Sequence, residues 1–134
     1  HKSIGVTILL LVVLRIIWRL TEQTPEGLGE KAWERQAAKL AHFALYAVML
    51  AMPLSGWLMS SAANFSVSVF GLFTLPDLVG PDKVLYEQLR FTHWILSWAI
   101  VGLVGLHVSA AFKHHFINRD ATLRRMLPGT GKGN

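Results

Sequence analysis

The last long apolar run of this chain, about residues 91–116, carries two histidines fourteen positions apart, His93 and His107. An α-helix turns about 100° and rises about 1.5 Å per residue, so fourteen steps return to within about 40° of the starting direction while climbing about 21 Å. Both imidazoles therefore leave the same face of one helix, one near each side of a bilayer. Few folds can use such a pair, because ionisable side chains inside an apolar span are costly and mark functional sites.

Two further apolar runs accompany it, about residues 3–20 and about 38–62, the second interrupted by Pro53 and Gly56. Each is long enough to cross a hydrocarbon core, and a membrane bundle tolerates the kink or loosening expected at Pro53 and Gly56. The fold class that follows is all-α, a transmembrane helical bundle with three spans. The chain forms a single membrane domain, 1–134. Composition agrees, with 52% apolar and only 16% charged residues over 134 positions. A charged stretch joins the first two spans, broken by Pro25, Gly27 and Gly29, and residues 30–39 read as an interfacial helix. Residues 64–90, with Phe65, Phe70, Phe73 and Pro76, read as an amphipathic connection lying on the membrane surface. Residues 117–134 form a polar tail.

The net charge of +5 does not point to nucleic acid, because the bases gather at the ends of apolar runs. Arg15, Arg19, Lys31, Arg35 and Lys39 flank the first connection, and Lys113, Arg119, Arg124, Arg125 and Lys132 flank the tail. The opposite side holds only Lys2, Lys83 and Arg90. By the positive-inside rule the Arg15–Lys39 connection and the C-terminus are cytoplasmic, and His1 and the 64–90 connection face outward. The protein is expected in a bacterial inner membrane, crossing it several times.

There is no cysteine, which excludes disulfides, iron–sulfur clusters, thiolate zinc sites and covalent c-type haem attachment. Histidine is left as the strong metal ligand, and neutral imidazole is a common axial ligand of haem iron. His1, at the outer end of the first span, shares a level with His93. A haem between them would have one imidazole on each face, with Gly5 leaving room for the macrocycle. Otherwise His1 is a frayed terminal residue and His93 an interfacial one beside Trp94. His107 follows Gly102 and Gly105, which serve either a ligand site or close helix packing. Its same-depth partner within the chain is His42. His114 and His115 read as interfacial, facing headgroups or a haem propionate. Arg15 and Arg19 read as snorkelling anchors. Trp18, Trp57, Trp94 and Trp98 read as an aromatic belt.

The succession HKSIG, VLRIIWRL, AHFALY, FGLFTLP, FTHW, GLHVSAAFKHHF and TLRRMLP resembles the bacterial cytochrome b561 family over essentially the whole chain. The resemblance implies a four-helix membrane protein holding two b-type haems with two histidine ligands each. It implies His1 and His93 as ligands of the outer haem. For the inner haem it implies His107 and a histidine on a first helix that this sequence lacks. The three spans would then be the family's second to fourth, which suggests a natural chain with an additional N-terminal helix. The run opening at His1 has neither a charged n-region nor a cleavage site, so it is not read as a signal peptide. The family has a histidine matching His42 that is not usually counted as a ligand, so His42 takes a structural or propionate-facing role unless the inner site is filled from within the chain.

The implied function is electron transfer. Bis-histidine ligation fills both axial positions, which disfavours oxygen binding and suits outer-sphere transfer of single electrons. Quinone is the expected partner, as the mobile carrier of the bilayer, with a second electron donor or acceptor at the outer face. Superoxide is an outer substrate within the family, and Lys83 and Arg90 would attract a small anion. The chain is thus either an electron carrier or a quinone-linked oxidoreductase. The alternatives are a cytochrome b anchor subunit of a hydrogenase or dehydrogenase, and a non-redox transporter using its histidines. The second predicts carboxylates within the spans, and there are none.

Overall fold

The structure, a computed structural model, describes residues 1–22 and 31–116, with the side chains of His114 and His115 excepted. The breaks expected at Pro25, Gly27 and Gly29 and the tail 117–134 lie outside the described residues. Three helices, α1 (Lys2–Thr21), α2 (Ala32–Ala62) and α3 (Lys83–Phe116), are joined between α2 and α3 by a short hairpin of β1 (Val67–Val69) and β2 (Phe73–Leu75). All three helices are long and apolar enough to cross a membrane. The all-α transmembrane bundle expected from the sequence is the architecture found.

The chain divides into two units, His1–Ile100 and Val101–Asn134. In the first, α1 packs on α2, and β1 packs on both. The buried residues there are small or β-branched: Val12 on α1, Ser55, Ser60, Ser61 and Ala62 on α2, and Val67 and Val69 on β1. Most of them gather where α2 ends and the hairpin begins. Elsewhere the helices expose large apolar side chains such as Leu10, Leu14, Phe43 and Trp98. Such surface is unfavourable in water and suits lipid, where packing depends on small residues at close approach. In the second unit the Ser109 hydroxyl donates to the Gly105 carbonyl at 2.7 Å, and Phe112 and Phe116 stack at 6.0 Å.

The helices extend beyond the apolar runs, for local reasons. The Glu34 carboxylate accepts the Lys31 backbone N–H at 3.3 Å, half of a capping box. No breaker follows, so the segment expected as a separate interfacial helix is the first part of α2. The helix also passes through Pro53 without interruption. It ends in a Schellman motif: Asn64 sits at φ 57°, its N–H reaches Ser61 O, and the Phe65 N–H reaches Ser60 O, both at 2.9 Å. At α3 the Asp82 carboxylate accepts the Leu85 N–H at 3.0 Å, starting that helix eight residues before the apolar run.

Within the connection expected as a surface amphipathic segment, residues 67–75 form a hairpin. Val67, Ser68 and Val69 pair antiparallel with Leu75, Thr74 and Phe73. The Leu72 N–H closes a turn onto Val69 O at 3.0 Å, with Phe70 at φ 51° and Gly71 at φ 71°. Positive φ at both central residues is a type I′ turn, matched to strand twist. The connection is pinned to both neighbouring helices. Trp57 Nε1 donates to Pro76 O at 3.0 Å, and the Leu78 N–H donates to the buried Ser61 hydroxyl at 3.1 Å. Ser3 Oγ accepts the Phe70 N–H at 3.0 Å and donates to Ser68 O at 3.3 Å.

Candidate functional site

The first turn of α1 and the middle of α3's first-unit portion bring two imidazoles together. His1 is the N-cap of α1, its carbonyl accepting the Gly5 N–H at 2.9 Å. His93 is half-buried on α3. Their ring centres are 6.0 Å apart and their planes cross at 83°. A metal–imidazole bond is about 2.0–2.1 Å and the nitrogen lies about 1.1 Å from its ring centre, so two rings on opposite sides of one ion have centres about 6.3 Å apart. The observed spacing fits that arrangement.

His93 is oriented by α2. Ser55 Oγ lies 2.8 Å from His93 Nδ1 and also donates to Met52 O at 2.8 Å. A carbonyl only accepts, so the single hydroxyl proton of Ser55 is committed to Met52. The proton between Ser55 and His93 must then come from the ring. His93 is therefore the Nδ1–H tautomer, and its Nε2 keeps a lone pair for a metal. Such an orienting bond on the far nitrogen is the common device of ligand histidines.

Gly56 completes the seat. A Cβ at that position would lie 3.2 Å from His93 Cε1, tighter than ordinary van der Waals contact, so with any larger residue the ring would have to give by a few tenths of an ångström. Around Gly5 the space is open, with nothing within 4 Å of where a Cβ would stand. Among the described residues no three His, Asp or Glu side chains converge. Two neighbouring imidazoles with no third His, Asp or Glu beside them among the described residues suit a group that brings its remaining ligands with it, as haem does.

The other sequence-derived candidates fall elsewhere. His42 is half-buried on α2, and His107 is half-buried on α3 within the second unit; both are engaged in contacts. The side chains of His114 and His115 lie outside the described residues. The Arg19 guanidinium sits 5.9 Å from the Tyr46 ring centre. Arg90, expected to attract an anion, is held by Glu87 at 2.7 Å, which offsets its charge. Ser55 and Ser3 were not singled out from the sequence, and Gly56 was read only as a helix-loosening residue. The available signal was the Ser-Gly pair inside an otherwise apolar span.

A family model described as prokaryotic cytochrome b561 matches residues 1–129. The chain is similar to cytochrome b561 homolog 2 of Escherichia coli (strain K12), 38% identical over 128 residues, or 95% of this chain and 68% of that protein. Cytochrome b561 homolog 1 of the same organism is 32% identical over 131 residues, 96% of this chain and 73% of the relative. A probable superoxide oxidase CybB of Yersinia pestis is 30% identical over 129 residues, covering 96% and 73% respectively.

Proposed function

Because the chain belongs to the prokaryotic cytochrome b561 family, and is thus a multi-pass membrane cytochrome of the b type, we propose that it passes single electrons between haem and the quinone pool. His1 and His93 would hold one haem. The observation that carries this is the 6.0 Å approach of the two rings, with Ser55 bonded at Nδ1 of His93 so that Nε2 keeps its lone pair. His107 is a ligand of a second haem, as the family resemblance implies. The first haem faces outward in a bacterial inner membrane, with the Arg15–Lys39 connection and the C-terminus in the cytoplasm, following the distribution of bases.

Held by two histidines, the haem would supply a one-electron couple that exchanges electrons without binding oxygen. The protein's own part is to fix two imidazoles, set the tautomer of one, and exclude water from the spans with apolar side chains. Superoxide is the outer electron donor on this reading, supported by the relative named as a probable superoxide oxidase. Two superoxide anions lose one electron each and leave as oxygen, and one quinone takes up the two electrons with two protons to become quinol.

The test is a reduced-minus-oxidised optical spectrum with haem counted per polypeptide, followed by addition of quinol to the oxidised protein. Haem of the b type that is reduced by quinol supports the reading. Haem inert to quinol removes the quinone partner, and a chain without haem, also when extended by an N-terminal helix, removes the reading altogether. With quinone present, loss of superoxide in step with quinol formation identifies the outer donor.

A further inference from the structure

We propose that the Ser55 hydroxyl is the positioning group that sets the redox equilibrium of the His1–His93 haem, holding that haem toward its oxidised state. The inference rests on the ligand assignment just made and concerns a residue that touches neither iron nor substrate. Ser55 is buried, and its Oγ has two neighbours: Met52 O, to which it donates, and His93 Nδ1, from which it accepts, each at 2.8 Å.

Such a chain is directional. Donation to Met52 polarises the hydroxyl oxygen and makes it a better acceptor. A better acceptor draws the Nδ1 proton away from the ring, leaving the imidazole richer in electrons and a stronger donor through Nε2. A stronger donor stabilises the higher charge on the iron, so the couple favours the oxidised state. Pro53 belongs to this arrangement. It occupies an internal position of α2, where proline removes a backbone hydrogen bond, and it lies between Met52 and Ser55 in the turn that presents both groups. Gly56, next in sequence, keeps the ring close enough for the bond to form. Among the described residues His1 has no such partner built against it: its ring contact there is His93 itself. The potential is therefore tuned from one side.

The experiment is a potentiometric titration of the haem-loaded protein, following the b-type absorption of wild type, Ser55→Ala, Ser55→Thr and Ser55→Val. In Ser55→Ala one haem component shifts about tenfold in its equilibrium toward the reduced state, ~59 mV for a one-electron couple, while any other component stays in place. Threonine keeps a hydroxyl that can bond a preceding carbonyl, and it titrates near wild type. Valine has the same shape without the hydroxyl and titrates with alanine. The threonine–valine pair carries the test if alanine loses haem. Wild-type potentials in both alanine and valine variants overturn the proposal. So do equal shifts in threonine and valine, which would assign the effect to packing. A wild-type protein without haem is a different failure, that of the ligand assignment itself, and takes this inference with it.

Discussion

His93 and His1 meet at one point but are held by unlike means. His93 rests against α2, its far nitrogen bonded to Ser55 and its edge against Gly56. His1 is exposed at the head of α1 and is placed from outside, because Ser3, two residues on, is bonded to the hairpin at Ser68 and Phe70. One imidazole is fixed by helix-to-helix packing and the other by a loop. Perturbing α2 should therefore change both the position and the electronic character of its imidazole. Perturbing the hairpin should change only where its imidazole sits.

The largest effect is expected from His93→Ala, which removes the ligand of fixed tautomer. The b-type absorption of this haem should be lost, with any second haem retained. Gly56→Leu should come next. A Cβ already falls 3.2 Å from the ring, so in Gly56→Ala the ring must give by a few tenths of an ångström, and leucine should expel it. Haem occupancy per polypeptide should fall in the order glycine, alanine, leucine. Equal occupancy in all three would show that the ring is not seated on α2.

Ser3→Ala is expected to be milder. Its two hydrogen bonds are exposed, and each contributes about 0.5–1.5 kcal/mol. The informative measurement is electron paramagnetic resonance of the oxidised haem. With haem bound, imidazole planes crossed near 83° would give a strongly anisotropic low-spin signal. Ser3→Ala should broaden that signal by freeing His1 to rotate, with little change in occupancy. A sharp, unaltered signal would mean that the hairpin does not position His1.

These contrasts also explain what was legible in the sequence. The spans were legible because lipid imposes length and apolarity residue by residue. The closeness of His1 and His93 was expected from their common depth and from the family resemblance. The hairpin was not legible: its strands are three residues each, and its turn has Phe70 where Asn or Asp usually stands. Phe70 is held at positive φ by a bond from its N–H to Ser3, a partner 67 residues away in sequence that no local pattern reveals. Ser55 was hidden for the same reason. A serine in an apolar helix usually bonds back to its own turn, as this one does to Met52, and only the tertiary approach of α3 gives its second lone pair a task.

The smallest expected effect concerns the charge nearest the exposed ligand. Arg90 precedes His93 by three residues, about one helical turn, and is paired with Glu87 at 2.7 Å in the open, with side chains 64% and 51% exposed. Such a pair contributes about 0–1 kcal/mol, so Glu87→Gln should leave stability nearly unchanged. It does release a positive charge on the side where His1 is exposed. If a small anion delivers electrons there, Glu87→Gln should raise its rate at low ionic strength, and the gain should vanish as salt screens the charge over a few ångströms. Quinol reduction of the same haem, involving a neutral partner, should not respond to either change. A rise in both rates would place the effect in the haem rather than in the approach to it, and a rise in neither would mean that the anion does not enter past Arg90.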